Sequence, residues 1–170
     1  EINEGEFKVM SLSSFGKPIY EKELNKMFDV DNFKINMDYF DFHKNTNKSF
    51  SNKLCKVFGD PYLNINIEAN FNKYADIANS AQLILEKTIE NLILKAMDLS
   101  KKRKIVLTGG VALNCKMVHN LSKRNIFEEM IVPPSPGDSG SAIGAANFAY
   151  FEKSKNKVLN LNNIFLGPRK

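Results

Sequence analysis

An α/β fold, a mixed sheet with packed helices, is what this sequence predicts, and three observations carry the prediction. Residues 104–146 run as short apolar stretch, turn, helical stretch, and then repeat that order, the pattern of parallel strands joined by crossover helices. Each apolar stretch is followed by a glycine-bearing turn, Thr108-Gly109-Gly110 after the first and residues 133–137 after the second. Upstream, apolar residues recur every three or four positions over residues 70–100, which predicts a long helix able to cover a sheet face.

Taken in order, residues 5–20, GEFKVMSLSSFGKPIY, are rich in small residues, which suit a tight turn or a close approach to ligand. Lys8 is the charge in its core, readable as a surface lysine or as an anion contact. Residues 21–28 can form a short helix. Residues 33–40, FKINMDYF, alternate well enough for a strand, and residues 45–48 read as a turn. Residues 50–58 read as a helix stopped by Gly59-Asp60-Pro61. His43 stands alone in a polar stretch, where a histidine is usually solvated.

The helix at 70–100 places Phe71, Tyr74, Ala75, Ala78, Ala81, Leu85, Ile89, Leu92, Ala96 and Leu99 on one stripe, with Glu86, Lys87, Glu90 and Lys95 on its other sides. The cluster Lys101-Lys102-Arg103-Lys104 falls at its end, where cations suit the helix dipole.

Residues 104–107 form the first strand and residues 111–122 a helix with apolar positions at helical spacing. Residues 130–132 form the second strand and residues 139–151 a second helix. In open α/β sheets ligands bind beyond the carboxyl ends of the strands. Gly109 and Gly110 sit at such an end, ahead of a helix whose first N–H groups suit phosphate. Neither GxxxxGK[ST] nor GxGxxG occurs. At the second turn Pro133-Pro134 stops the strand, and Asp138 or Ser139 is placed to cap the next helix. That helix, SGSAIGAANFAYF, holds Gly140 and Gly144 four apart on one face. Each costs about 1 kcal/mol of helix stability relative to alanine, so the pair implies close packing on the neighbouring helix or on a ligand.

Composition sets outer limits. The chain of 170 residues is 43% hydrophobic and 25% charged, ordinary for a globular protein. No run of 18 or more apolar residues occurs, and the first residues, EINEGEFKVM, do not read as a signal peptide. Cys55 and Cys115 lack metal-like spacing and suit reduced thiols, so a cytoplasmic location is expected. A net charge of +5 favours phosphate-bearing small molecules. Without basic residues interleaved with aromatics, nucleic acid is not expected as a partner, nor is a membrane.

TGGVALNC, followed at the right distance by P-x-P-GDSGSAIGAA, closely resembles the actin-like domain of O-carbamoyltransferases of the nodulation-protein and antibiotic-tailoring type. GGVA-N resembles threonylcarbamoyl-transfer enzymes as well, but those carry an Asp-Asn-Ala-Ala pattern where this chain has GDSG. Residues 5–20 resemble a further family element, with Ser11 in place of its Gly and Ser13-Ser14 in place of Ala-Pro. Tyr74–Gln82 resembles the start of the family's long helix, with Tyr74 replacing a histidine. The end of the chain, VLNLNNIFLGPRK, resembles the boundary before a second, adenylate-forming domain.

The resemblance implies that residues 1–168 are the second half of an actin-like domain. The family's metal-binding His-x-x-x-His pair is absent, since His43 and His119 are the two histidines. On that reading the first half and the downstream domain lie outside this segment, and the segment alone is expected to be inactive. The implied activity is ATP-dependent O-carbamoyl transfer, from carbamoyl phosphate through carbamoyladenylate to the hydroxyl of a sugar-like acceptor. The implied cofactors are ATP and a divalent or iron-type metal ion, and the implied partner is the rest of the parent chain. By the same resemblance Gly109, Gly110, Val111 and Asn114 contact nucleotide, Gly137, Ser139 and Gly140 shape a second wall, and Asp138 is a metal ligand. A sugar-kinase-like ATP-binding subdomain and a non-catalytic interaction module of the same fold are the alternatives.

Overall fold

The computed structural model describes residues 5–61 and 67–155. The chain divides into two compact units, Glu1–Lys101 and Lys102–Lys170. The fold is α/β, with helices and two small sheets. The VLNLNNIFLGPRK motif lies outside the described residues.

The first unit is built on one long helix. Its elements are α1 (Glu6–Leu12), α2 (Glu21–Leu24), β1 (Phe28–Asp29), β2 (Lys34–Ile35), α3 (Asn52–Phe58) and α4 (Ile67–Ser100). β1 and β2 pair antiparallel, Phe28 opposite Ile35. The expected strand over 33–40 is cut to two residues. Asn36 accepts a hydrogen bond from the Asp38 amide at 3.1 Å and starts a 3-10 turn over Met37–Tyr39, which ends the extended chain. The helix expected over 21–28 stops at Leu24, which frees Met27 to enter the core and Phe28 to pair with Ile35.

The core of this unit joins Leu24, Met27, Tyr39 and Ile84, with Phe28, Phe40, Leu54, Val57 and Phe58 packed around them. Tyr20 and Phe58 meet edge to face at 5.5 Å. The stripe on α4 differs from expectation beyond Ala81. Ile84 and Ile93 are buried there, whereas Leu92 and Leu99 are exposed. Polar side chains explain the rotation. Lys87 pairs with Glu21, and Asn91 donates to Asp31 at 2.9 Å and to the Val30 carbonyl at 3.4 Å. Those anchors turn a partly polar side of α4 toward the β1–β2 hairpin.

Nearer its start, α4 holds the 13–20 segment by its backbone. Asn79 donates to the Ser13 carbonyl at 2.7 Å, Asp76 accepts from the Lys17 amide at 2.7 Å, and Ser80 accepts from the Tyr20 amide at 3.1 Å. Gly16 lies so close to α4 that a Cβ there would stand 2.0 Å from the Ala75 carbonyl oxygen. At Gly16 the close approach is therefore to α4 and not to a ligand.

The second unit contains β3 (Lys104–Val106), a 3-10 turn (Gly110–Leu113), α5 (Cys115–Ser122), β4 (Glu129–Ile131) and α6 (Gly140–Ser154). β3 and β4 are parallel, with Lys104 opposite Glu129, Ile105 opposite Met130 and Val106 opposite Ile131. The β-turn-α-β-turn-α order is thus present, with element ends moved by one to a few residues. Ala112, Met117 and Leu121 are buried within the unit. Lys101, just past α4, has the left-handed φ of 57° and pairs with Asp98, while Arg103 donates to the Ile126 carbonyl and Lys104 pairs with Glu129. The basic cluster thus ends a helix and frames a strand.

Candidate functional site

The two glycine-bearing turns lie side by side. The Gly109 amide donates to the Pro136 carbonyl at 2.7 Å, and the Thr108 hydroxyl donates to the same oxygen at 3.0 Å. Pro136 is buried. A Cβ at Gly137 would stand 3.3 Å from Leu113 of the first turn. One carbonyl thereby ties the turn after β3 to the turn after β4, at the carboxyl ends of two parallel strands.

Gly109 has φ 91°, a conformation that favours glycine. Gly110 does not, and a Cβ at Gly110 would meet nothing within 4 Å. The first turn therefore offers an open ledge of backbone. Val111 is exposed beside it. The expected helix over 111–122 is broken: a 3-10 turn runs to Leu113, and α5 begins at Cys115 with Asn114 as its cap. The Asn114 side-chain oxygen accepts from the Met117 amide at 2.9 Å. That atom serves the helix.

At the second turn Ser139 is the residue before α6, but its side chain makes no capping bond. Its hydroxyl is 2.6 Å from that of Ser135 instead. The Asp138 carbonyl accepts from both the amide and the hydroxyl of Ser141, at 3.1 and 2.6 Å. Asp138 is exposed. A Cβ at Gly140 would stand 2.1 Å from the Ser135 carbonyl oxygen, so this glycine folds the loop tightly onto the helix start. At Gly144, four residues on, a Cβ would meet nothing within 4 Å. Gly140 thus packs on the preceding loop and not on a neighbouring helix, and among the described residues nothing packs closely at Gly144.

Gly109, Gly110, Val111, Gly137, Asp138, Ser139 and Gly140 therefore belong to two adjoining turns, with Asn114 at the head of the helix that follows. For a metal the fit is incomplete. Asp138 offers hard carboxylate oxygen, yet among the described residues no three of His, Cys, Asp or Glu stand together as an ion-binding group. No helix among them is long and apolar enough to cross a membrane. Lys8 lies 5.7 Å from the Phe7 ring centroid, and His43 packs its ring edge-on to Phe42. Cys55 and Cys115 are not joined in a disulfide. Sequence reasoning did not foresee the Thr108–Pro136 link between the turns.

A family model described as "Carbamoyltransferase N-terminus" matches residues 1–147. The chain belongs to the carbamoyltransferase family. Among its relatives, "Uncharacterized protein sll1178" of Synechocystis sp. is 30% identical over 181 residues, spanning 99% of this chain and 29% of the relative. "Nodulation protein NolNO" of Sinorhizobium fredii is 26% identical, over 96% of this chain and 23% of that protein. "Nodulation protein NolO" of Bradyrhizobium diazoefficiens is also 26% identical, over 96% of this chain and 28% of the relative. The chain thus spans under a third of the length of each.

Proposed function

We propose that this carbamoyltransferase chain is one half of an actin-like domain in an ATP-dependent O-carbamoyltransferase, and that its paired turns form one wall of the nucleotide site. The observation that carries this reading is the link through the Pro136 carbonyl, which sets the ledge at Gly109-Gly110 beside the loop holding Asp138. Backbone exposed without side chains lets a polyanionic ligand approach N–H groups closely.

In the proposed reaction the acceptor hydroxyl oxygen attacks the carbonyl carbon of carbamoyladenylate. The bond from that carbon to the phosphate oxygen breaks, AMP leaves, and a base takes the hydroxyl proton. The carbamoyladenylate derives from carbamoyl phosphate and ATP elsewhere in the longer protein. This chain would bind and orient the adenylate phosphate. Asp138 is the ligand it offers to a cation, whose remaining ligands come from outside the described residues. A bound cation would neutralise phosphate charge.

Two substitutions in the longer protein test this. Gly110→Val adds bulk over the open ledge without forcing an unfavourable φ, so ATP affinity measured by calorimetry should drop at least about tenfold, or about 1.4 kcal/mol, while circular dichroism stays unchanged. Asp138→Asn should leave the melting temperature unaltered, because no helix cap is lost, while metal content by elemental analysis and carbamoyl transfer both fall. A folded Gly110→Val protein with full ATP affinity returns the turn to a plain connector. A fully metal-loaded and active Asp138→Asn protein removes Asp138 from the site.

A further inference from the structure

Beyond the last rung of the β3–β4 ladder, hydrogen bonds between the two turns converge on one oxygen. The Leu107 amide donates to the Ile131 carbonyl at 2.9 Å. The chain then passes through Pro133 and Pro134, which have no N–H to continue a ladder. The turns next meet by hydrogen bond at the Pro136 carbonyl, which accepts from the Gly109 amide at 2.7 Å and from the Thr108 hydroxyl at 3.0 Å. The loop around that oxygen is tied to itself. The Ser135 and Ser139 hydroxyls are 2.6 Å apart, the Gly140 amide donates to the Gly137 carbonyl at 2.9 Å, and Gly140 has no room for a Cβ beside the Ser135 carbonyl oxygen. A loop so closed moves as one body. Held by one hydrogen bond, the body can pivot about it. A second donor on the same oxygen removes that freedom, because a carbonyl directs two lone pairs along different lines. One donor here is backbone, which any residue but proline supplies at position 109. The other is the Thr108 side chain, which depends on residue type.

We propose that Thr108 is a positioning residue: its hydroxyl, as second donor to the Pro136 carbonyl, fixes the Gly137–Gly140 loop against the Gly109-Gly110 ledge, so that both turns meet the phosphates of one nucleotide. The assignment rests on the reading of the paired turns as a nucleotide wall, and adds to it a residue that acts through the loop and not on the ligand. Strand structure does not call for a threonine here. β3 ends at Val106, and a valine would suit extended backbone equally well. What valine lacks is the hydroxyl.

The test uses the full-length protein with ATP as the probe. It compares Thr108→Val, which keeps the branched shape and loses the hydroxyl, with Thr108→Ser, which keeps the hydroxyl. Calorimetry should find ATP bound on the order of fivefold more weakly by the Val protein, the scale of one neutral hydrogen bond. The Ser protein should bind ATP as the parent does. Amide exchange without ATP, read by mass spectrometry, should quicken over residues 135–141 in the Val protein and stay unchanged along α4. A lowered melting temperature with intact ATP affinity marks a merely structural role and overturns the proposal. Weaker ATP binding with unchanged exchange over 135–141 also overturns it, because Thr108 then acts on the nucleotide directly. So does failure of Thr108→Ser to restore binding. Should the Val protein not fold, Thr108→Ala takes its place under the same criteria. Gly110→Val separates this assignment from the reading beneath it. Weakened ATP binding in Gly110→Val with parent affinity in Thr108→Val leaves the wall standing and removes Thr108, whereas parent affinity in Gly110→Val removes both.

Discussion

Helices α4 and α6 are both rich in apolar residues, and they end in opposite surroundings. α4 buries Ala75, Ala78, Ile84 and Ile93, and its polar residues hold the segments packed on it. α6 buries none of its residues. The patterns differ in kind. α4 carries an apolar stripe with charges on its remaining sides, the mark of a helix that covers one surface. α6 has only Ser141 and Asn147 as polar residues ahead of Glu152 and Lys153, and they do not form one side. Among the described residues, α4 is packed within the first unit and α6 has no buried side chain. The turns with open backbone lie in the second unit.

A large expected effect falls on the first unit. Gly16→Ala puts a methyl group 2.0 Å from the Ala75 carbonyl oxygen. Both neighbours are backbone, and Ser13, Lys17 and Tyr20 are pinned on either side. No side chain can give way, so the segment must lift from α4, at a cost of about 3 kcal/mol. Urea unfolding of the full-length protein checks it. A Gly16→Ala protein as stable as the parent would show that the stitches to α4 yield easily and that the first unit is looser than described.

A paired truncation sharpens the comparison within the second unit. Met117 is fully buried there, whereas Phe148 is mostly exposed. Met117→Ala should cost about 2–5 kcal/mol wherever the unit is folded. In the 170-residue chain, Phe148→Ala should change stability by under about 0.5 kcal/mol, as surface substitutions do. If both cost the same in that chain, α6 is already covered within it, and the contrast between the two helices is lost.

Much of this was legible in the sequence, and the misses share one cause. The parallel strands and the turns after them follow from local patterns: apolar runs, glycine and proline breaks, and helical spacing over 111–122. The long helix follows from its period. What local pattern could not show was where a side chain prefers a backbone partner. Asn36 ends a strand early and Asn114 splits a helix, each by accepting a nearby amide. Asn91 and Lys87 turn α4 because their partners lie some sixty residues away. The candidate site was legible as two separate turns, but their union through the Pro136 carbonyl is a tertiary fact with no local signature.

The smallest expected effect concerns pH and the surface of the first unit. Hydrogen bonds from the Asn32 side chain and amide hold the Asp29 carboxyl below its usual range, and the Asp38 carboxylate raises the Lys53 ammonium above its own. The two act at opposite ends of the pH scale. Asp29 contributes above the ordinary carboxylate range, and its contribution is lost as pH falls through the lowered value. Lys53 contributes below the ordinary lysine range, and its contribution is lost as pH rises through the raised value. Both groups are exposed, so solvent screens them and each effect is slight. Melting temperature against pH should therefore lie flat through neutrality and bend at both extremes. Asp29→Asn should soften the acid bend alone, and Lys53→Met the alkaline bend alone. Should Asp29→Asn change the alkaline side instead, the turn joining β1 to β2 depends on that carboxylate for its shape and not for its charge.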